Sequence, residues 1–566
     1  MKYLLILSMI LFSCTNNVSP KERRGQVCEE YQEKVFLGYD LDKVHNRAIN
    51  IKVHVNNNDE MDAFMVSLKA FDVVEMARME GFAEGEMFVN VIANGNYPET
   101  LRKIRRLSNV FYAEPDYKVE MIDIYEPSPF KAIISPFGLL EGDFEDDPQG
   151  DFKEYSLEIT EALRAYSELK FGENSVWVGI LDSGTNGNHE DLKYENGERV
   201  VKILKTAFGG STGKEIVEDY TGNTDTEIEY GGHGTHCTGS ICAIGNNNKG
   251  IAGVAWKNVK LASYKVLKDG SGYAWSIYDS LKHFVDTVRG EVSEQEQATI
   301  PVNMSLGGHT ISTFAVEALN YALSKGVLPI VANGNEGQFL PFYPAACPGV
   351  LSVGASGTDD KRAVFSNVGS WLNVVAPGQD IISLQHSNER GYLYMSGTSM
   401  AAPFVTGTIG YLLSFDEGQK LTPYQIKKIL EDTADKVDKD NAPFGSYDAK
   451  GHSLYYGYGR VNVLEAAKCV KKVSGAKPIP EANSFYIDKP LTITTPVVNA
   501  KVYLYEVLDD NSLFPQGVSI TDNNKKTYFY ALKDEVNYKV RTYVGTELKD
   551  YDFKASKTGT MAHTFN

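Results

Sequence analysis

Three patterns of apolar and polar positions follow one another along the chain. Over residues 47–121 short alternating runs are interleaved with amphipathic ones. Asn50 to Val55 reads Asn-Ile-Lys-Val-His-Val, the period-two alternation of a half-buried strand. Met61 to Gly81 predicts a helix, Glu86 to Ile92 a strand, Leu101 to Leu107 a basic helix, and Val110 to Ala113 another strand. That order predicts a small α+β unit. From 151 to 473 the runs become continuous and β-branched: Ser175–Leu181, Val259–Tyr264 and Val327–Val331 alternate with helical segments. Strands apolar on both faces are covered on both faces, so the expectation is an α/β fold, a mainly parallel sheet flanked by helices. Beyond Lys477-Pro478-Ile479-Pro480, residues 483–566 return to alternation. Leu491–Thr494, Lys501–Val507, Thr527–Tyr530 and Val536–Val544 read as strands separated by Asp/Asn turns, with Val536, Tyr538, Val540, Thr542 and Val544 on one face. This predicts an all-β sandwich.

Composition narrows the function. In 566 residues, 42% are apolar and 23% charged, the usage of ordinary globular domains. With 56 basic and 74 acidic residues the net charge is −18, which repels phosphate and argues against broad nucleic-acid binding. Six cysteines are too few for a disulfide scaffold. The apolar stretch Tyr3–Phe12 is too short to span a bilayer and suits the core of a signal peptide. It runs into Leu11-Phe12-Ser13-Cys14, which resembles the lipobox of bacterial lipoproteins. That resemblance implies a signal peptide over 1–13, a lipidated Cys14, a tether over 14–46 and an extracytoplasmic place on the cell envelope. The alternative is an ordinary secretory signal with a chance cysteine. If Cys14 carries lipid, Cys28, Cys237, Cys242, Cys347 and Cys469 remain, an odd number that leaves one free or pairing between chains. Residues 122–150 hold four prolines and the acidic cluster Glu141–Asp147, the composition of an exposed linker.

Three segments carry candidate chemistry. The strand ending at Leu181 is followed by Asp182-Ser183-Gly184-Thr185, which places a carboxylate at the carboxyl edge of the sheet, where open α/β folds bind ligands. A turn or helix-capping Asp is the plainer reading. Gly231-Gly232-His233-Gly234-Thr235-His236-Cys237 starts a predicted helix, with His233 suited to moving a proton near neutral pH. A metal site of His233, His236, Cys237 and Cys242 fits no zinc spacing. Met395-Ser396-Gly397-Thr398-Ser399-Met400-Ala401-Ala402-Pro403 opens an apolar helix, and Ser399 is either an N-cap or a nucleophile among small residues.

Together and in the order Asp, His, Ser, these segments resemble the subtilisin-like serine proteases over residues 151–473. The resemblance implies a catalytic triad of Asp182, His233 and Ser399, with an oxyanion hole from Asn335, the Ser399 N–H and an assisting Thr398. It assigns Gly270, Ser271, Gly272, Ser305, Leu306, Gly307, Ala332, Asn333, Gly334 and Phe342 to substrate binding. Residues 47–121 are similar to the inhibitory propeptides of these enzymes. The implied partners are polypeptide substrates, the chain's own propeptide, and a membrane through Cys14. No cofactor is implied for catalysis. Asp191, with Asn246 and Asn248 in a loop like the family's calcium loop, implies a structural calcium, with Gln149 a further ligand; a plain Asn/Gly turn is the alternative.

Three departures stand out. Asn333 takes a place often held by Ala, so one pocket wall is expected to be more polar. Phe342 either shortens the pocket or turns into the core. Cys237 is either a small buried hydrophobe or a thiol that makes activity sensitive to mercurials. Against the endopeptidase stands an adhesin reading, in which the protease part only processes the chain and residues 483–566 do the work.

Overall fold

The computed structural model describes residues 44–55, 58–81, 86–107, 109–121, 155–206, 217–218, 225, 232–292, 297–310, 312–416, 420–441 and 445–480. It also describes 491–497, 500–507, 513–521, 525–529, 532, 536–544, 547–556 and 561–565. The expected signal peptide, Cys14, Cys28, Gln149, the 122–150 linker and residues 14–43 of the expected tether lie outside these residues; the tether's last three, 44–46, belong instead to a strand that starts at Val44.

The first part runs β1 (Val44–His54), α1 (Asn58–Lys69), β2 (Val73–Glu80), β3 (Glu86–Ala93), α2 (Tyr97–Ile104) and β4 (Val110–Met121). Its strands lie in the order β4-β1-β3-β2. The predicted helix from Met61 to Gly81 is therefore wrong in its second half. Asp72 adopts a left-handed φ of 56°, which ends the helical turn, and Val73–Glu80 pairs antiparallel with β3. Ala, Met, Glu and Arg favour helix locally, but a ladder with a neighbouring strand overrides that weak preference.

The middle part holds the main sheet. Its elements are α3 (Tyr155–Ile159), α4 (Ala162–Leu169), β5 (Val176–Asp182), β6 (Val201–Thr206), β7 (Val217–Glu218), α5 (His233–Cys242), β8 (Val259–Lys265), β9 (Ser271–Tyr273), α6 (Ala274–Glu291), β10 (Ile300–Met304), β11 (Leu306–Gly307), α7 (Thr313–Ser324), β12 (Val327–Ala332), β13 (Leu351–Ser356), β14 (Val374–Pro377), β15 (Ile381–Leu384), β16 (Tyr392–Met395), α8 (Thr398–Ser414), α9 (Pro423–Thr433) and α10 (Val463–Val470). The eight-stranded sheet has the order β14-β13-β12-β10-β5-β8-β6-β7, with seven strands parallel and β7 antiparallel at one edge. Strands β5, β10, β12 and β13 are buried along their whole length, as their unbroken apolar runs require. Helix α8 is buried along its whole length and packs against β5, β10, β12, β13, β14 and α5. No helix among the described residues is long and apolar enough to cross a membrane.

The last part contains β17 (Leu491–Thr494), β18 (Lys501–Val507), β19 (Leu513–Ile520), β20 (Lys526–Phe529), β21 (Asn537–Val544), β22 (Glu547–Lys554) and β23 (Ala562–Thr564). They form a three-stranded sheet, β20-β17-β23, and a four-stranded one, β19-β18-β21-β22. Leu491, Ile493, Val502, Leu504, Tyr538 and Val540 share one core across both sheets, which makes a sandwich. The predicted strands are present. β19, β22 and β23 were not foreseen; β22 carries charge at most positions, and only Tyr551 and Phe553 on one face pack against the core.

Candidate active site

Asp182 is the last residue of β5, at the carboxyl edge of the sheet. Its Oδ1 accepts hydrogen bonds from Ser183 N and from His233 Nδ1, each at 2.7 Å. His233 is the first residue of α5. The turn before it needs glycine, because Gly232 has a left-handed φ of 84°. Gly234 permits the close approach: a Cβ there would lie 2.1 Å from the Gly184 carbonyl, in the turn that follows Asp182. Both side chains are fully buried. Burial alone would lower the His233 pKa, but the Asp182 charge and the hydrogen bond to it hold the imidazolium and leave the pKa well above the ordinary value. With Nδ1 given to Asp182, Nε2 is the ring's free face. It is buried and has no hydrogen-bond partner.

Ser399 lies in the first turn of α8, where backbone N–H groups have no helical partner. Its Oγ is likewise buried without a partner. Its carbonyl is held twice, by Ser305 Oγ at 3.0 Å and by the Cys237 thiol at 3.3 Å. Asn303 Nδ2 in turn donates to Ser305 Oγ at 3.0 Å. Asn335 follows the end of β12. Its Oδ1 accepts from Thr398 N and Thr398 Oγ1, both at 2.9 Å. Two donors on the oxygen fix which end of the amide is which, so Nδ2 points the other way, alongside Gly397. The expected Asn335, Thr398 and Ser399 are therefore one cluster at the start of α8.

Cys237 sits between the parts. Its sulfur is 4.0 Å from His233 Nδ1 and 3.8 Å from Ser305 Oγ. Burial pushes its thiol pKa up, so it is a neutral packing group. The metal alternative fails on geometry. His236 Nε2 meets the Ile381 and Leu393 carbonyls, and Cys242 Sγ donates to Thr238 O within its own helix. Burial pushes the His236 pKa down to about 3.

Sequence reasoning missed Asp225. It is buried, and its Oδ2 accepts from Thr235 N at 2.9 Å and Thr235 Oγ1 at 2.6 Å. Its Oδ1 accepts from Ser183 Oγ at 3.1 Å. One carboxylate thus ties the first turn of α5 to the turn after Asp182. Nothing in Asn-Thr-Asp-Thr-Glu marked it, because the partners come from two distant segments.

The expected substrate edges are occupied by the chain itself. β4 pairs antiparallel with β9, Lys118 opposite Tyr273 and Glu120 opposite Ser271. It also pairs with β11, Met121 opposite Leu306 and Glu120 opposite Gly307, and Met121 N donates to Gly270 O at 2.9 Å. The more polar wall expected from Asn333 is absent: Asn333 is fully buried, its Nδ2 donates to Asn367 O, and its Oδ1 accepts from Trp371 Nε1 and Ser352 Oγ. Its polarity is spent inside the core. Phe342 is 4% exposed, with its ring against Gly307 and Gly334.

At the expected calcium loop, Asn246 and Asn248 are exposed, and Asn247 between them faces Asp191, Nδ2 to Oδ1 at 3.1 Å. The expected Asn246 and Asn248 have left-handed φ values of 58° and 61°, and it is Asn247 whose side chain meets Asp191. Asp191 also accepts from Ile251 N and Tyr392 OH. Burial raises the Asp191 pKa, outweighing these neutral donors and the nearby Lys249 charge, which lower it. A carboxylate and an Asn side chain are the oxygen donors that calcium takes.

Comparison with known proteins identifies the family. The sequence profile of the subtilase family matches residues 173–459. A thermophilic serine proteinase from Bacillus sp. (strain AK1) is 31% identical over 378 residues, covering 67% of this chain and 77% of the relative. Thermitase from Thermoactinomyces vulgaris is 31% identical over 322 residues, 57% of this chain and 98% of the relative. Among solved structures, fervidolysin from Fervidobacterium pennivorans, described as a keratinolytic enzyme related to subtilisin, superposes with a TM-score of 0.65. It covers 93% of this chain and 79% of its own at 22% identity, a likeness of fold.

Proposed function

The chain belongs to the subtilase family and is a subtilisin-like serine endopeptidase, and from that premise we propose that Asp182, His233 and Ser399 carry its chemistry and that it is made as a self-processing, lipid-anchored zymogen. Ser399 Oγ attacks the peptide carbonyl. A hydroxyl is a weak nucleophile until a base takes its proton, and His233 Nε2 is that base. Asp182 holds the Nδ1–H tautomer and stabilises the imidazolium, which then gives its proton to the leaving amine. The oxyanion is met by Asn335 Nδ2 and the Ser399 N–H. One observation carries this reading: the 2.7 Å bond of Asp182 to His233 Nδ1, with His233 Nε2 and Ser399 Oγ among the buried atoms left without partners. Substrate aligns such groups, so an unmade bond in the resting form is no objection. The test is labelling with a fluorophosphonate, which reports an activated serine without any peptide. Wild type labels and Ser399→Ala does not; equal labelling removes Ser399 from the reaction.

The zymogen proposal rests on β4, which fills the edges of β9 and β11 as an extended peptide would, by strand addition. The bond cut in maturation then lies after Met121, within 122–150. Tethering makes that first cut intramolecular, at an effective concentration of about millimolar order. The anchor rests on Leu11-Phe12-Ser13-Cys14, and places the enzyme on an extracytoplasmic face. For calcium the support is the desolvated Asp191 with Asn247; bound there, the ion would neutralise a buried carboxylate and take no part in catalysis. Residues 483–566 are accessory.

A further inference from the structure

Apolar side chains left in water gather at one place. Nine large ones are exposed among the described residues, and four of them come from three segments that meet: Phe339 at 54%, Leu340 at 56%, Val364 at 80% and Leu454 at 46%. The Phe339 ring stands edge-on to Tyr455, with centroids 5.7 Å apart. Val368 N donates to Gln338 O at 3.0 Å, Gly369 N to Leu454 O at 2.8 Å and Gly337 N to Phe365 O at 2.6 Å, so the backbones that carry the four are laced together. The Arg362 guanidinium lies over the Tyr455 ring and donates to Val364 O at 3.1 Å. None of the five apolar residues pairs with β4, so the patch lies outside the edges that β4 fills. A contiguous apolar patch on a protein surface marks a place where something docks.

The occupant that fits is the chain's own linker. Pro129 to Leu140 holds Phe130, Ile133, Ile134, Phe137, Leu139 and Leu140 against a single charge, Lys131, and the acidic run begins only at Glu141. The places where the linker leaves and rejoins the described chain bracket the patch. It leaves after Met121, opposite Leu306. Ser305, next to Leu306, bonds the Ser399 carbonyl, and Thr398 bonds Asn335. Phe339 is four residues beyond Asn335, at most about 15 Å away. The linker rejoins at Tyr155, whose hydroxyl donates to Gln379 O at 2.6 Å. Gln379 Oε1 lies against Gly357, 2.9 Å from where a Cβ would stand, and Gly357 N donates to Lys361 O, beside Arg362. Seven residues precede the apolar run after Met121 and fourteen follow it before Tyr155. At roughly 3.3 Å each, both stretches are long enough to bring the run onto the patch. Tethering holds it there at an effective concentration of about millimolar order, against which a dilute second copy does not compete.

We propose that residues 129–140 of the uncut chain dock on the patch made by Phe339, Leu340, Val364, Leu454 and Tyr455, so that the precursor covers a second surface besides the one β4 covers. The proposal needs only an uncut chain and asks nothing of the triad, so it fails or stands apart from the catalytic reading. The test uses the full chain carrying Ser399→Ala from a protease-deficient host, its intact mass checked first. Hydrogen exchange read by mass spectrometry, corrected for intrinsic rates, should find the amides of 129–140 at least about tenfold slower than those of 141–150. Leu340→Asp together with Val364→Asp should bring the two halves of the linker to the same rate and leave β10 and β12 unchanged; both side chains are more than half exposed, so the fold does not depend on them. A benzophenone amino acid in place of Leu340 should, on irradiation, join to a peptide from 129–140 within one chain. Equal exchange in the two halves of the linker overturns the proposal, and so does slow exchange that survives the double substitution. Crosslinks that join two chains, or that reach only residues outside 129–140, give the patch another occupant and overturn it equally.

Discussion

His233 illustrates how opposed effects are settled by geometry at the scale of a residue. Desolvation favours the neutral ring, but a carboxylate at 2.7 Å favours the charged one, and the carboxylate wins. The base must be neutral to accept the Ser399 proton. A raised pKa therefore moves the acid limb of the kcat/KM profile upwards, and activity should rise with pH through a midpoint above the ordinary histidine value of about 6.5. Asp182→Asn should lower kcat by about 10⁴-fold, the scale of that change in other serine proteases, because it spoils the tautomer. Asn335→Leu should lower kcat by about 10²–10³-fold with KM little moved, a magnitude measured in a subtilisin and carried over here. An unchanged kcat would take Asn335 out of the oxyanion hole. Asp225→Ala leaves Thr235 N–H, its hydroxyl and Ser183 Oγ–H without their acceptor. At roughly 1–3 kcal/mol for each buried donor so stranded, the melting temperature should fall measurably and kcat with it.

Elements here are completed by partners far away in sequence. Helix α7 starts at a Ser312 cap, and Ser312 Oγ, Thr313 N and Phe314 N all donate to the Glu114 carboxylate of β4. An acid at a helix N-terminus also meets the positive end of its dipole. Asp116 does the same for α6 through Trp275 N, and Lys52 of β1 lies 3.0 Å from Glu317. Removing one partner of such a buried contact costs on the order of 2–5 kcal/mol. In the uncut Ser399→Ala chain, Glu114→Ala should therefore loosen residues 47–121 from the rest, seen as faster amide exchange in β4; unchanged exchange would show that the cap is not what holds them. The loop carrying Asn247 gives a second test. Calcium binding to the native form raises the unfolding midpoint by mass action, so a chelator should lower it. Superimposable melts with calcium and with chelator, after full exchange, would dispose of the site.

For the whole molecule, the proposed maturation has one decisive outcome. Wild type should convert to a form beginning within 122–150, at a rate independent of protein concentration, while Ser399→Ala stays uncut after signal removal. N-terminal sequencing of both, from a protease-deficient host, checks it; cleavage of Ser399→Ala in that linker at the wild-type rate would mean that another protease matures the chain. Much of the architecture was legible in the sequence, because its causes are local or periodic. Unbroken apolar runs marked β5, β8 and β12, alternation marked β17, β18 and β21, and Asp182, His233 and Ser399 stood out through the small residues around them. Other features depended on contacts between distant segments. Residues 73–80 favour a helix in isolation and became a strand only because β3 offered a ladder. Asp225 has no local signature, and its meaning comes from Thr235 and Ser183 arriving on either side of it. Asn333 looked like a polar wall until Asn367 and Trp371 took up its polarity. Phe342 could have faced either core or pocket; it is buried, with its ring against Gly307 and Gly334, a placement set by segments distant in sequence.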